Sequence, residues 1–204
     1  MSETNEEAAL TASVKLKLKE AGEVVWQRYP LPHTHPSFKS CAVAAARLLQ
    51  EIEGAKAILV MRDVCLRLVR ELILKSGLKL IIPNKSGSGV GLIPQHAMAG
   101  GVLRIDPPPP GTTPYLGDID VVIVGCLAFC KSERRLYTYE AEHTASVLDE
   151  LYQGLKSGFR LNADVPVAAV SADEQEVAGW PSNALGFVEA DAVFTPTRTL
   201  VLGS

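Results

Sequence analysis

The sequence predicts an α/β fold, a mostly parallel sheet flanked by helices. Two observations predict it. Val121-Val122-Ile123-Val124 is a continuous β-branched run that ends at Gly125. Such a run has no polar face, so it reads as a strand buried on both sides. Around it, short apolar runs alternate with helical patterns, roughly six strands with four helices, which is the rhythm of βαβ units.

Taken in order, residues 1–11 are acidic and polar and are expected to be disordered, within one domain spanning 1–204. A helix is expected over 12–28, with Val14, Leu16, Leu18, Val25 and Trp26 apolar, although the lysines at 15, 17 and 19 alternate with them as in a strand. Pro30-Leu31-Pro32 breaks the chain. Residues 36–53 read as a helix, with Pro36 in its first turn, Gly54 as its stop, and Val43, Ala46, Leu49 and Ile52 as one face. Lys56 to Met61 is a strand, and Asp63 is placed to cap a helix over 64–75. There Leu66, Val69, Ile73 and Leu74 form the core stripe, while Arg67, Arg70 and Glu71 are expected to face water. Lys79 to Ile82 is a strand ended by Pro83, residues 84–91 a flexible Gly/Ser loop, and Gly101 to Ile105 a short strand before a proline-stiffened connection. Beyond the central run, residues 140–156 read as an amphipathic helix and Pro166 to Ser171 as a buried strand. Asp173 to Glu176 reads as a helical turn, and 191–202 as a strand with a hairpin arm.

The composition, 47% hydrophobic and 21% charged, is that of a globular protein. A net charge of −3 gives no general pull toward nucleic acid or membrane, so neither is expected as a partner. The acidic first residues do not resemble a signal peptide, and a cytoplasmic location is expected. Cys41, Cys65, Cys126 and Cys130 form no Cys-x-x-Cys pair and are expected to be reduced and packed as small hydrophobes. His33 and His35 have no carboxylate or cysteine close in sequence, so no metal site is expected.

After Phe129 the sequence turns basic, Lys131-Ser132-Glu133-Arg134-Arg135, just ahead of the predicted helix. In open α/β sheets ligands sit beyond the carboxyl ends of the strands. A basic loop between a central strand and a helix N-terminus is therefore the expected anion site. A solvated loop is the alternative reading of the same residues.

Three spaced motifs go further. The first is Pro36-Ser37-Phe38-Lys39 with Ala44-Ala45, then Asp63 and Arg67-Leu68-Val69-Arg70. The second is Asp118-Ile119-Asp120-Val121-Val122-Ile123-Val124-Gly125 followed by Arg135-Leu136. The third is Asp173-Glu174-Gln175 with Asp191-Ala192-Val193-Phe194-Thr195-Pro196-Thr197. In this order they resemble the 5-formyltetrahydrofolate cyclo-ligase (methenyltetrahydrofolate synthetase) family, and within it the divergent branch of methenyltetrahydrofolate synthase domain proteins. The resemblance runs from about Val25 to Thr197.

The resemblance implies a three-layer α/β fold of the NagB/RpiA/CoA transferase-like kind. It also implies an ATP- and Mg²⁺-dependent ring closure of 5-formyltetrahydrofolate to 5,10-methenyltetrahydrofolate, and a folate-like small molecule as ligand. Lys131, Arg134, Arg135 and Lys39 would neutralise phosphate. Phe38, Gly125, Asp173 and Gln175 would contact the substrate. No catalytic residue is assigned. Where the family's triphosphate loop reads Arg-Leu-Gly-x-Gly-x-Gly-Tyr, this chain keeps Arg135 and Leu136 but has Tyr137, Tyr139 and Ala141 in place of the glycines. Glycine lets backbone N–H groups approach a phosphate closely, and tyrosine does not. The family's basic positions are also replaced, by Gly22 and Thr34, and its histidine by Ala172. Two classes of function follow: an ATP-dependent cyclo-ligase or a relative acting on another small substrate, and a binding or protein-interaction module that kept the fold and lost the nucleotide loop.

Overall fold

A computed structural model describes residues 5–24, 38–84, 89–98, 103–138, 148, 164–180 and 187–203. The apolar runs are the strands at its centre. In chain order the first sheet comprises Ala57–Val60 (β1), Lys79–Pro83 (β2), Val90–Ile93 (β3), Thr113–Pro114 (β4) and Val121–Val124 (β5). Val167–Val170 (β8), Ala192–Phe194 (β10) and Thr199–Val201 (β11) complete it. A second, three-stranded sheet is made of Ala128–Phe129 (β6), Arg135–Tyr137 (β7) and Phe187–Glu189 (β9).

The eight-stranded sheet has the order β11-β10-β8-β5-β1-β2-β3-β4. The five strands from β10 to β2 are all parallel, with Ala168 opposite Ala192, Val122 opposite Val167, Leu59 opposite Val122 and Ile58 opposite Leu80. Antiparallel strands finish both ends. β1, β5 and β8 are buried at every position, which is what a β-branched run without a polar face requires. The sheet is thus mostly parallel and flanked by helices. From β1 the chain moves one way to β2, then returns to add β5, β8 and β10 on the other side. The strand order therefore reverses between β1 and β5.

The helices depart from the sequence expectation in phase more than in place. The first, Asn5–Glu20 (α1), begins seven residues early and includes residues 5–11. It buries Glu7, Thr11, Val14 and Leu18. That 4-3-4 spacing is a helical stripe, and it leaves Leu16 exposed. The helix Cys41–Glu51 (α2) buries Cys41, Ala44, Ala45 and Leu48. Val43, expected in the core, is 53% exposed. An alanine-rich helix offers two apolar stripes, and the one with the smaller side chains faces the protein. Val64–Leu66 is a 3-10 turn, and its preceding residue, Asp63, makes no side-chain cap hydrogen bond to it. The helix Arg67–Lys75 (α3) follows and buries Val69, Ile73 and Leu74 as expected. Arg70 and Glu71 are buried too, against the expectation that they face water.

Residues 103–105 form no strand, whereas β3 begins at the end of the expected loop over 84–91 and β4 lies just past the proline-rich connection, where no strand was expected. Asn84 N–H donates to Gly89 O at 2.8 Å and closes the β2–β3 hairpin. The expectations placed on residues 25–37, including Val25, Trp26, His33, Thr34 and Pro36, lie outside the described residues. So do those on Tyr139 to Thr144. Of the helix expected over 140–156, only Leu148 is described, helical and buried. No helix among the described residues is long and apolar enough to cross a membrane.

Candidate functional site at the sheet's switch point

The reversal between β1 and β5 splays the connections that leave those strands in opposite directions, and this is where open α/β sheets form a ligand crevice. The residues that exit β1 are Met61, Arg62 and Asp63, and those that exit β5 are Gly125 and Cys126. Met61 N–H still donates to Ile123 O at 2.9 Å, so the two exits start side by side. Gly125 then brings the backbone against the Asp63 carboxyl group. A Cβ at position 125 would lie 2.7 Å from Asp63 Cγ. The glycine that ends the central run is there for close approach, not for a turn.

Two arginines lie at the exit of β1, and of these Arg70 feels the Asp63 carboxylate. Arg62 donates to Pro83 O at 3.2 Å and Ile105 O at 3.0 Å, tying the exit of β2 to the switch point. Arg70 reaches back from α3 and donates from Nη1 to Met61 O at 2.7 Å. Burial pulls its pKa down to about 10, opposed by Cys65 and Asp63 nearby, so it is charged at neutral pH.

The thiols at the site are inert. All four cysteines are free and buried. Burial pushes Cys41 and Cys126 up to about 12 and Cys65 well above its ordinary value. A protonated buried thiol is neither nucleophile nor metal ligand. Among the described residues no group of three or more His, Cys, Asp or Glu is arranged to hold a metal ion.

The exit of β8 carries Asp173 and Gln175 on a 3-10 turn, Asp173–Gln175. Gln175 is 1% exposed. Its Oε1 accepts Ala172 N–H at 2.8 Å, and its Nε2 donates to Cys126 O at 3.0 Å and Leu127 O at 2.9 Å. It is a brace between the exits of β5 and β8, with its amide engaged inside the protein. Asp173 accepts hydrogen bonds from Thr195 and Thr197 hydroxyls, both at 2.7 Å, and from Arg198 Nε at 3.2 Å. Burial alone would raise its pKa, but these three donors outweigh it and hold the carboxyl below its ordinary value. Arg198 also pairs with Glu176, and Arg47 of α2 donates to Thr195 O and Pro196 O. Phe38 is a core residue bridged to Val24, and Lys39 beside it is exposed.

Lys131, Arg134 and Arg135 are elsewhere. The run expected to be a loop before a helix is the turn and second strand of a hairpin, β6–β7. Arg134 pairs with Asp191, whose other carboxylate oxygen accepts Val167 N–H at 2.9 Å at the start of β8. Lys131 O accepts Gly203 N–H at 3.1 Å, just past β11, whose end lies beside the start of β10. Both residues therefore lie at the amino edge of the parallel strands, opposite the switch point. Arg135 sits across from Glu189, with its guanidinium 5.7 Å from the centre of the Phe187 ring. Tyr137 is buried in the same small sheet, edge-on to Phe187 at 6.0 Å.

Of the residues picked from sequence, Gly125 marks the switch point and Gln175 braces it, and the basic run does not join them. Asp63 and Arg70 were read as a helix cap and a solvated charge. The available signal was position: Asp63 follows one buried run by three residues and Cys126 follows another by two.

No family model and no curated protein matches the chain. Among solved structures it is similar to 5,10-methenyltetrahydrofolate synthetase from Aquifex aeolicus, with a TM-score of 0.60 and 14% identity over 97% of this chain and 93% of that one. It is more loosely similar to eIF2B beta from Chaetomium thermophilum, with a TM-score of 0.45 and 12% identity over 79% of this chain and 52% of that one. The first likeness shows the fold: an α/β protein of the cyclo-ligase-like kind. The second is too loose to bear on function.

Proposed function

We propose that the chain is a small-molecule-binding protein on a cyclo-ligase-like fold, that it takes a folate-like ligand at the switch point between β1 and β5, and that it lacks the ATP-driven ring closure. The reading rests on one observation, the meeting of Asp63, Gly125 and Arg70 at the place where such sheets hold ligands. The folate-like class is supported by the shared fold with the Aquifex aeolicus 5,10-methenyltetrahydrofolate synthetase.

The case against ATP is independent of the ligand. Phosphoryl transfer is mostly positioning and charge neutralisation, so it needs cations on the triphosphate. Arg134 is paired with Asp191 at the opposite edge, and Arg135 lies over Phe187. Tyr137 stands where the family has its first loop glycine, and its side chain is packed in the small sheet. The competing reading, an ATP- and Mg²⁺-dependent cyclo-ligase, would need other cations to do this work.

Isothermal titration with Mg-ATP and a turnover assay on 5-formyltetrahydrofolate decide between the two. The expected result is no low-micromolar nucleotide binding and no turnover, with 5-formyltetrahydrofolate shifting the Gly125 amide resonance. Low-micromolar Mg-ATP binding or measurable ring closure would establish the enzyme instead.

A further inference from the structure

Arg70 is the most buried charge at the switch point, 3% exposed, and one of its N–H groups is unspent. Nη1 is used by Met61 O, while Nε is buried without any hydrogen-bond partner. An unsatisfied buried donor on a charged group is destabilising, and buried charges are normally paired and fully hydrogen-bonded. The charged groups around it are Asp63, Glu71 and Arg62, with the protonated thiols of Cys41 and Cys65. Glu71 is engaged elsewhere, accepting Leu103 N–H and facing Arg67.

The helix explains where this guanidinium points. Side chains on a helix lean toward its N-terminus. The N-terminus of α3 follows the exit of β1, so the lean carries Arg70 toward the carboxyl edge of the sheet. Its bond to the Met61 carbonyl, one residue past β1, shows that it arrives there. The unpartnered donor therefore belongs to a buried guanidinium that meets the exit of β1.

We propose that Arg70 receives an anionic oxygen, carboxylate or phosphate, of the ligand bound between the exits of β1 and β5. The proposal rests on the small-molecule reading given above and narrows it to ligands that carry an anionic group. Asp63 competes with that group for the same cation, and this sets the sign of the test.

The test uses the full chain labelled with ¹⁵N, following the arginine Nε–H resonances by NMR. The Arg70 signal is assigned by its loss in Arg70→Lys. Inorganic phosphate and formate are titrated separately, with chloride at matched ionic strength as the control. The expected result is a saturable shift of the Arg70 signal with phosphate, formate or both, and the arm that saturates names the anion. In Asp63→Asn the half-saturating concentration falls by about ten-fold, the scale of one charge-assisted hydrogen bond. No shift at Arg70, or an equal shift with chloride, overturns the proposal. If 5-formyltetrahydrofolate moves the Gly125 amide while Arg70 stays silent, this inference fails and the small-molecule reading stands. If Arg70 answers phosphate but 5-formyltetrahydrofolate never moves Gly125, the anion site stands and the folate-like assignment falls.

Discussion

The two edges of the parallel sheet differ in one buried donor. At the amino edge Asp120 accepts Lys56 and Ala57 N–H at 2.7 and 2.9 Å, fastening the start of β1 to the start of β5. Asp191 does the same for β8 and adds Arg134. Each carboxylate there ties the beginning of one strand to its neighbour. At the carboxyl edge Asp173 likewise gathers Thr195, Thr197 and Arg198, while Asp63 lies against a bare glycine near Arg70, which has an unmatched N–H. One edge is fastened by Asp120 and Asp191, and the other carries a fastening of its own at Asp173 together with a buried Arg70 N–H that has no hydrogen-bond partner. The motif that spans them, Asp118 to Gly125, has a fastening residue at one end and a site residue at the other.

The comparison breaks most directly at Gln175, because the carboxyl edge is only as well formed as its brace. Gln175→Leu leaves Ala172 N–H and the carbonyls of Cys126 and Leu127 without their partner in a buried place. Three such groups at roughly 1–3 kcal/mol each, partly relieved by relaxation, predict a loss of about 3–5 kcal/mol in urea unfolding. A loss below about 1 kcal/mol would show that the exits of β5 and β8 hold their spacing without the amide.

A smaller effect is expected at Asp173, and its pH dependence carries the sign. The folded carboxyl titrates below the ordinary value of ~3.9, so its contribution is present above that value and is lost as pH falls through the folded pKa. Asp173→Asn should destabilise by about 1–2 kcal/mol at pH 7, the scale of a hydrogen bond to a charged group. The gap to the parent protein should narrow below pH ~4. A gap that stays constant from pH 7 to pH 3 would mean that the three donors do not favour the charged form.

Much of the main sheet was legible because β-branched runs without polar faces have few other places to go. The strands expected over 56–61, 121–124 and 166–171 are found at 57–60, 121–124 and 167–170, each buried at every position. The small sheet was not legible. β6, β7 and β9 are two or three residues long, and β7 begins with an arginine in a basic run. A short antiparallel ladder is specified by its partners, and Arg135 finds Glu189 from 54 positions away. α2 was read one stripe out because Val43 is more apolar than Ala44, while packing favours the smaller residue. Arg70 was read as solvated because charge is usually outside. Its burial is the local inconsistency that marks a site.

The smallest effect is expected at Arg134, and it tests the division of the edges most sharply. Its partner Asp191 keeps the Val167 N–H bond when the guanidinium is removed, so the fastening of β8 survives. The pair is exposed, 63% on the arginine side and 40% on the aspartate side. Exposed pairs contribute about 0–1 kcal/mol, so Arg134→Ala should move the urea midpoint hardly at all. It should also leave the Arg70 titration with phosphate or formate unchanged, because the two arginines lie at opposite ends of β8 and its neighbours, about 10 Å of strand apart at ~3.3 Å per residue. A five-fold or greater weakening of anion binding in this variant would place the basic run at the ligand after all, and the amino edge would then have to be counted as part of the site.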